Sequence, residues 1–547
     1  MKTIYTLFMK PLLLSILLFS ASCFAQGKPN ILLLVAEDLS SRIASFGDPI
    51  AKSPNLDKLA ATGVRYTNAF TTAGVCATSR TGLITGVHQI TVGGQHMRVR
   101  NFEKSPYRAV PPIDVKAFPE LLRQQGYFTY VSNKLDYQFS NITMNTGPFT
   151  IWDYESNKPT WRHKNRKSDQ PFFGMYHFNI THESKLMPKN LKKNLAKSNY
   201  QQIFSPEQVE VPPYLPDTFK VRQGIASIYD HVYLMDKEIG QILKELEEDG
   251  LTDNTIVIWT TDHGDALPRA KREIYDSGIK VPLIVHWPEK YRPKSLQTGS
   301  RKSQLISFVD LAPSILAMAG SEIPAFIQGK PYLVDQSLIE RDFIYASKDR
   351  IDEFYFKERA VRSKSFKYIK NFMPGKPGGI KLKYREQLPF MADIWAALEN
   401  GEMTKGQRFF YQNRPAEELY DLRVDPYELN NLAQHSKHQM KLTEMRQAYL
   451  AFSQRVPDQS SRAEIVQATT SWPNGIQPKT PKPIIVINNN IVTVSNKLEG
   501  ASMGYQINQN PWQVYSKPFS VKVTDIVRAK AVRYGWQESE EILGNIN

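Results

Sequence analysis

Cysteine is nearly absent from this sequence. Its 547 residues include two, Cys23 and Cys76. Cys23 lies in an N-terminal segment that we expect to be removed, so the mature chain would hold Cys76 alone. A single cysteine forms no internal disulfide, and a lone thiol in an exported protein needs another explanation. The simplest explanation is that Cys76 packs as a small buried apolar residue.

Long hydrophobic runs are also missing, apart from one at the N-terminus. The segment "PLLLSILLFSA" (11–21) follows two lysines and precedes small residues around Ala25. This order is typical of a secretory signal peptide, here residues 1–25. The run is too short to span a bilayer comfortably. We expect a periplasmic or secreted protein that is not transmembrane, with a lipoprotein anchor at Cys23 as the alternative.

Acidic residues are outnumbered by basic ones. The 69 Lys and Arg residues exceed the 54 Asp and Glu residues, which gives a net charge of +15. A basic exported protein usually binds anions. The sequence has no nucleic-acid-binding motif and no long basic block, so we expect no nucleic acid partner. A sulfated or uronic-acid carbohydrate fits an exported protein better.

The remaining sequence alternates between buried strands and amphipathic helices. Near-continuous apolar runs, typical of strands buried on both faces of a sheet, occur at 30–36, 127–132, 172–180, 255–261 and 281–287. Helical spacing ending in glycine occurs at 53–63, 114–126 and 225–250. This alternation predicts an α/β fold with a large, mostly parallel or mixed sheet sandwiched by helices.

The pattern divides the chain into further segments. We expect a catalytic α/β domain over 26–340, a smaller C-terminal α+β subdomain over 341–470 and a linker over 471–482. Short alternating strands over 483–547 predict a small accessory domain that resembles a β-sandwich. Its aromatic residues form either a core or a sugar-binding face.

Carboxylates follow two of the predicted strands. Glu37 and Asp38 come after the first run, and Asp262 comes after the fourth. In open α/β sheets the ligand site lies beyond the carboxyl ends of the strands. Several carboxylates at one sheet edge favour a hard divalent cation such as Ca²⁺. The alternative is that each one caps a following turn or helix.

Four basic side chains occupy separate segments, three of them at or near the ends of predicted strands. They are Arg80, Lys134, His182 and Lys271. Cations around one point can bind a sulfate or phosphate group and stabilise its charge during reaction. The alternative for each is a solvated surface charge.

The stretch "VCATSRTGLITG", Val75 to Gly86, resembles the signature of formylglycine-dependent sulfatases. Cys76, Ser79 and Arg80 match, whereas Thr78 stands where proline is usual. The resemblance implies that a maturation enzyme converts Cys76 to formylglycine (3-oxoalanine). It also implies that the hydrated aldehyde attacks sulfate.

The resemblance extends in order over residues 28–435. "PNILLLVAEDLS" and "TTDHGD" resemble the two metal motifs of the family. They imply a Ca²⁺ site formed by Glu37, Asp38, Asp262, His263 and the side chain made from Cys76. The resemblance also implies an alkaline-phosphatase-like fold. It assigns catalytic or sulfate-binding roles to Arg80, Lys134, His182 and Lys271, with His182 protonating the leaving alcohol.

One position departs from the family pattern at the site. Asp136 stands at the usual histidine of the segment that contains Lys134, and His96 is a candidate substitute. Candidate residues for a substrate-binding subsite are His96, Arg98, Arg350 and Asp352.

The predicted function is an exported sulfatase acting on a sulfated carbohydrate, with algal ulvan oligosaccharides as one candidate. Two alternatives stay open. One is a phosphoester or phosphonate hydrolase of the same superfamily, because a fold does not fix the leaving anion. The other is a catalytically inactive glycan-binding protein.

Overall fold

The computed structural model describes residues 27–102, 105–132, 134–197 and 201–544. The predicted signal peptide and Cys23 lie outside the described residues. Eleven α-helices occur in that part of the chain: α1 Pro54–Thr62, α2 Cys76–Thr85, α3 Phe118–Gln124, α4 Pro188–Lys197, α5 Phe219–Glu248, α6 Asp276–Ile279, α7 Leu311–Met318, α8 Met391–Glu399, α9 Lys405–Phe409, α10 Gln439–Arg455 and α11 Glu464–Ser471.

The strands of the first part of the chain are β1 Asn30–Ala36, β2 Val64–Phe70, β3 Phe128–Ser132, β4 Tyr154–Ser156, β5 Phe172–Phe178, β6 Thr255–Thr261, β7 Lys280–His286, β8 Arg301–Lys302 and β9 Ile306–Ser307. These nine form one sheet in the order β4-β3-β5-β1-β6-β7-β2-β8, with β9 also paired to β2. β7 pairs antiparallel with both neighbours, whereas the other pairs are parallel. The sheet is therefore mixed.

Both faces of this sheet are covered by helices because its central strands are apolar on both sides. Every residue of β1 is buried. Leu32 and Leu34 face one core, which contains side chains of α1 and α5. Ile31 and Leu33 face the other, which contains side chains of α2, α3 and α7. The structure confirms the predicted sheet sandwiched by helices.

The second sheet is antiparallel and packs on α10. Its strands, in the order of the sheet, are β10 Ile344–Lys348, β11 Glu358–Arg362, β12 Phe366–Asn371 and β13 Glu417–Asp421. Apolar side chains of β12, such as Tyr368, meet Leu442 and Met445 of α10 in a buried cluster. Turns follow β13, and α10 begins only at Gln439. The segment 417–434, whose sequence predicts a strand, a turn and the start of a helix, therefore holds the strand and turns but no start of a helix.

The last strands are β14 Pro483–Asn488, β15 Ile491–Asn496, β16 Ser502–Ile507, β17 Gln513–Val514, β18 Phe519–Ser520, β19 Val527–Val532 and β20 Ile542–Gly544. They form two antiparallel sheets, β14-β15-β18 and β17-β16-β19-β20. Their inner faces share a core that includes Val492 and Val527. Tyr515 packs at its edge, and Trp512 lies edge-on against Phe149 of the first part of the chain.

The residues between α11 and β14 are held in place by hydrogen bonds. Trp472 donates from its indole to Gly535 O at 3.1 Å, and Thr480 donates from its hydroxyl to Gln537 O at 2.7 Å. The division into domains remains a prediction. Within the described residues, no helix is long and apolar enough to cross a membrane.

Candidate active site

The predicted polar side chains meet at one edge of the large sheet. Glu37 and Asp38 directly follow β1, and Asp262 and His263 directly follow β6. Because β1 and β6 are parallel neighbours in register, their carboxyl ends deliver all four side chains to one place. All four are completely buried.

Cys76 is the first residue of α2 and points into this group. Its Sγ atom lies 3.3 Å from His263 Nε2 and 3.9 Å from Asp38 Oδ1. Ser79 anchors the same helix turn by donating to Asp262 O at 2.6 Å. Arg80 lies one turn after Cys76, so both side chains project to the same side of the helix.

The carboxylates are close enough to bind a metal ion. Two groups have ligand atoms within 4.8 Å of one another: Asp38, Cys76, Asp262 and His263, and Glu37, Asp38 and His182. Oε1 of Glu37 is buried without a hydrogen-bond partner in the described part of the chain. Buried carboxylate oxygens are costly unless a charge or donor compensates them. This donor set, mostly carboxylate oxygen, fits a hard divalent cation.

The basic side chains surround the carboxylates from several elements. Arg80 reaches Asp262 Oδ2 at 3.0 Å, and Lys134 reaches Glu37 Oε2 at 2.6 Å. Lys271 pairs with Asp38 and, at 2.9 Å, with Glu183. The structure thus brings together cations that are up to 191 positions apart, since Arg80 and Lys271 come from different segments.

His182 completes the basic group at its partly exposed side. Its Nε2 lies 3.4 Å from Lys271 Nζ. Its Nδ1 accepts the backbone N–H of Ser184 at 3.2 Å. Nδ1 also lies 2.9 Å from Ser184 Oγ, so Nε2 is the ring nitrogen that faces the site.

The electrostatics favour negative charge at residue 76. Burial alone would raise the pKa of the Cys76 thiol, but Lys134 and Lys271 outweigh it and lower the pKa to about 6. Burial would lower the pKa of His263, yet Asp262, Cys76 and Asp38 raise it to about 10. The site therefore stabilises an anion at residue 76 and a cation among the carboxylates.

Three residues of the site have no counterpart in the sequence-based prediction. His177 on β5 lies against Arg80, whose Nη1 is 2.8 Å from His177 Nδ1. Glu183 donates its backbone N–H to Asp38 Oδ2 at 2.7 Å. Arg272 binds both carboxylate oxygens of Glu183, at 2.9 and 2.8 Å. The lone histidine in the apolar run 172–178 was the available sequence signal for His177.

Asp136 lies beside the basic group and pairs with Arg98. Arg98 Nε donates to Asp136 Oδ1 at 3.2 Å, and Nη2 donates to Oδ2 at 3.0 Å. Burial would raise the pKa of the Asp136 carboxyl, but Arg98 and Lys134 hold it well below its usual range. An ion pair therefore occupies the position of the usual histidine.

His96 and Arg350 lie in a neighbouring cluster around Glu464. Arg350 binds both Glu464 oxygens, at 2.6 and 2.8 Å, and its backbone N–H donates to His96 Nδ1 at 3.2 Å. Asp352 lies between this cluster and the site, with Oδ2 3.7 Å from Arg272 Nε. The structure thus brings Arg98 and Asp352 to the site and gives Arg350 a buried acidic partner. The substrate-binding roles of these residues remain predictions.

Comparison with known proteins identifies the family. Residues 29–321 match the sequence profile described as Sulfatase, and residues 269–374 match that described as N-sulphoglucosamine sulphohydrolase, C-terminal. The chain belongs to the sulfatase family. This sulfatase is 36% identical over 555 residues to an ulvan-active sulfatase of Formosa agariphila, with 94% of this chain and 91% of the relative covered.

A more distant relative agrees with this assignment. Human N-sulphoglucosamine sulphohydrolase is 27% identical over 470 residues, with 77% of this chain and 89% of the relative covered. The family membership and these relatives make the protein a sulfuric ester hydrolase.

The structural comparisons show the fold. A 2-O GAG sulfatase superposes with a TM-score of 0.56 at 19% identity, covering 79% of this chain and 94% of that one. The phosphonate monoester hydrolase of Agrobacterium radiobacter superposes with a TM-score of 0.53 at 14% identity, covering 79% and 97%. These likenesses confirm the predicted alkaline-phosphatase-like fold.

Proposed function

We propose that this sulfatase removes sulfate from a sulfated carbohydrate, with ulvan oligosaccharides as the first candidate. The strongest support is that Cys76, three cationic side chains and several carboxylates meet at one edge of the sheet. The similarity to the ulvan-active sulfatase over nearly the whole chain supports the substrate class. The N-terminal signal pattern supports a periplasmic or secreted location.

Formylglycine made from Cys76 is the proposed nucleophile. When hydrated, this aldehyde would supply a hydroxyl group that attacks sulfur. Residue 76 lies at the start of α2, where the positive end of the helix dipole and two lysines stabilise negative charge. We also propose that a maturation enzyme performs the conversion, because an unmodified thiol lacks that hydroxyl.

Ca²⁺ is the proposed cation. Glu37, Asp38, Asp262 and His263 would hold it, and it would help to neutralise the sulfate oxygens. Three of these four ligands are carboxylates, which suits Ca²⁺ better than a zinc pair, whose sites need more nitrogen or sulfur ligands. Glu37 Oε1 accepts no hydrogen bond from the described residues and lies 3.6 Å from Arg80 Nη2, so it can still coordinate a cation.

The remaining side chains would bind sulfate and move one proton. Arg80, Lys134 and Lys271 are fixed by carboxylates, so they need little reorganisation when charge develops on the substrate. In its imidazolium form, with Nδ1–H donating to Ser184 Oγ at 2.9 Å, His182 would give its Nε2 proton to the leaving sugar oxygen and become a neutral ring.

The test is sulfate release measured by ion chromatography. The chain is coexpressed with a formylglycine-generating enzyme and incubated with ulvan, carrageenan, fucan and glycosaminoglycan oligosaccharides. Cys76→Ala removes the proposed nucleophile, and Thr78→Ser, in the same helix turn, is the matched control. Phosphate release from phosphomonoesters and phosphonate esters is measured in the same runs.

We expect sulfate from the parent and the control, and none from Cys76→Ala. Sulfate from a non-ulvan substrate alone would retain the reaction and correct the substrate. A parent whose residue 76 is shown by mass spectrometry to carry formylglycine, but which releases no sulfate, would contradict the proposal. Phosphoester hydrolysis or glycan binding would then be the favoured function.

A further inference from the structure

The Arg98–Asp136 ion pair lies at the rim of the site, and the proposed reaction does not use it. The Asp136 side chain is 3% exposed, whereas the Arg98 side chain is 20% exposed. Asp136 occupies the edge of the guanidinium formed by Nε and Nη2. Nη1 has no hydrogen-bond partner among the described residues. The edge formed by Nη1 and Nη2 is therefore available to a ligand.

Arg98 is connected to the site through its partner Asp136, which follows the proposed sulfate-binding Lys134 by two positions. Burial would lower the pKa of the Arg98 guanidinium, but Asp136, Cys76 and Asp352 raise it. A sugar whose sulfate ester reaches residue 76 would therefore place its neighbouring substituents close to Arg98.

Backbone conformation marks the same three residues. Arg98, Asp136 and Asp352 have φ values of 52°, 51° and 48°, in the left-handed region that non-glycine residues avoid. Such conformations persist where the surroundings hold them, and they cluster at ligand-binding and active sites. The left-handed backbone of these three residues indicates that the fold constrains where their side chains are placed.

Asp352 carries a hydrogen-bond acceptor and lines a cavity. Its Oδ2 accepts no hydrogen bond in the described structure and lies 3.7 Å from Arg272 Nε, and 28% of the side chain is exposed. Asp352 also lines a cavity of about 790 Å³ with Phe102 and Tyr355, whose rings could pack against a sugar. Arg350 lines it too, but Glu464 already binds its guanidinium.

We propose that Arg98 binds the carboxylate of a uronic acid in the sulfated unit, and that Asp352 accepts a hydrogen bond from a hydroxyl of that unit. This inference rests on the proposed function. The free guanidinium edge carries two parallel N–H groups, which match a planar carboxylate. Asp136 is then a positioning residue, because it acts by fixing Arg98.

The test compares two substrates that differ in one group. Sulfated uronic-acid oligosaccharides from ulvan are used as released, and again after chemical reduction of their carboxyl groups to alcohols. We expect the parent to favour the carboxylate form about 10- to 100-fold in kcat/KM, the range for a charged hydrogen-bonded contact. Arg98→Gln should reduce this preference to within about 3-fold, mainly by slowing the carboxylate form.

Three further variants separate binding from loss of structure. Arg98→Lys keeps the charge but loses the paired N–H groups, so it should lose most of the preference while retaining the parent Tm. Asp136→Asn should weaken the preference in the same direction. Arg100→Gln removes a neighbouring cation that makes no such pair, and it should keep the parent preference.

Equal parent rates on the two forms would overturn the inference and leave the proposed function intact. An equal fall in kcat/KM on the carboxylate and the reduced substrate in Arg98→Gln would also overturn the inference. If kcat/KM falls when a second sulfate is removed from the substrate, but not when the carboxyl group is reduced, Arg98 would be assigned to a second sulfate. That result would overturn the proposed uronic acid contact. No sulfate from either form would overturn the inference, and it would contradict the proposed function as well only if the other sulfated oligosaccharides also released none.

Discussion

His177 holds the guanidinium of Arg80, a proposed sulfate-binding group, through a neutral ring. Burial, followed by Arg80 and Lys134, lowers the pKa of the His177 imidazole well below its usual value. The ring is therefore uncharged and accepts a hydrogen bond from Arg80. Arg80 has its other contacts with Asp262 and Glu37, so His177 helps to fix the guanidinium against the proposed sulfate position.

We expect His177→Ala to lower kcat about 10- to 100-fold, because a buried donor without an acceptor costs about 1–3 kcal/mol. His177→Gln retains an acceptor and should recover much of kcat. The measurement is kcat and KM on the best substrate, with Tm recorded for each variant. Equal loss of kcat in both variants would contradict a positioning role.

His231 predicts a pH dependence of stability rather than of activity. Neither of its ring nitrogens has a hydrogen-bond partner in the described structure, and burial lowers the pKa to about 4. The unfolded chain binds a proton near pH 6.5, whereas the folded chain binds it only near pH 4. The stability contributed by the neutral ring is therefore present above pH 6.5 and is lost as pH falls toward 4.

Replacing His231 by leucine should remove this loss. Relative to the parent, His231→Leu should gain up to about 3 kcal/mol in unfolding free energy between pH 7 and pH 4. Urea unfolding at a series of pH values measures the difference. Met235→Leu, a buried change on the same helix that does not titrate, should keep the parent slope. Parallel curves for His231→Leu and the parent would refute the prediction.

The sequence predicted individual site residues better than their partners. Glu37, Asp38 and Asp262 were predicted to meet because they follow buried strands, and strand ends share one edge of a sheet. Arg98 and Asp136 come from two irregular loops, whose course is set by packing and has no periodic signal. Their pairing could therefore be found only in the folded chain.

Elements were predicted well wherever an apolar run was long and unbroken. The runs at 30–36 and 255–261 match β1 and β6 in both bounds. β2 was missed because the segment "VRYTNAF" alternates weakly and is only partly buried. The reversed direction of β7 could not be predicted, since periodicity indicates which face a residue takes and not which way a strand runs.

Close approach of two loops places Lys271 near Cys76. Gly74 precedes α2, and its carbonyl accepts the backbone N–H of Arg272 at 2.6 Å. A Cβ atom at residue 74 would lie 1.9 Å from Glu273 O, so only glycine permits this contact. The segment that holds Cys76 and the segment that holds Lys271 are therefore joined through the backbone.

Gly74→Ala should lower kcat/KM by at least about 100-fold and also lower Tm, because the loop carrying Lys271 must move away. Gly147→Ala is the matched control, since its added Cβ would make only ordinary contacts of 3.4 and 3.5 Å. Steady-state kinetics and thermal unfolding of the two variants provide the test. Parent-like activity in Gly74→Ala would show that the loop tolerates the displacement.

At the scale of the whole molecule, Glu120 joins the last β-sheets to the large sheet. Its buried carboxylate on α3 accepts hydrogen bonds from Ser502 at 2.6 Å, from Tyr534 at 2.8 Å and from Thr150. Tyr534 also packs against Phe139, with ring centroids 4.9 Å apart. The sequence predicted the strands of this region but gave no sign of the buried contact between it and α3.

Glu120→Ala should destabilise the protein by about 3 kcal/mol, because three buried hydroxyl groups lose their common acceptor. The expected results are a lower Tm and faster proteolysis within 471–482. Ser495→Ala, an exposed change on β15, should match the parent in both measurements. An unchanged Tm in Glu120→Ala would show that the contact does not hold the two parts together.

The burial of Cys76 fixes an order of events during biogenesis. In the folded protein its side chain is fully enclosed by α2, the strand ends and the loop before α6. The proposed maturation enzyme would have to reach this side chain, which is not exposed in the folded chain. The proposed conversion would therefore precede closure of the large sheet, and a chain that folded first would keep its thiol. The protein then has one opportunity to acquire its proposed nucleophile, while the polypeptide is newly made.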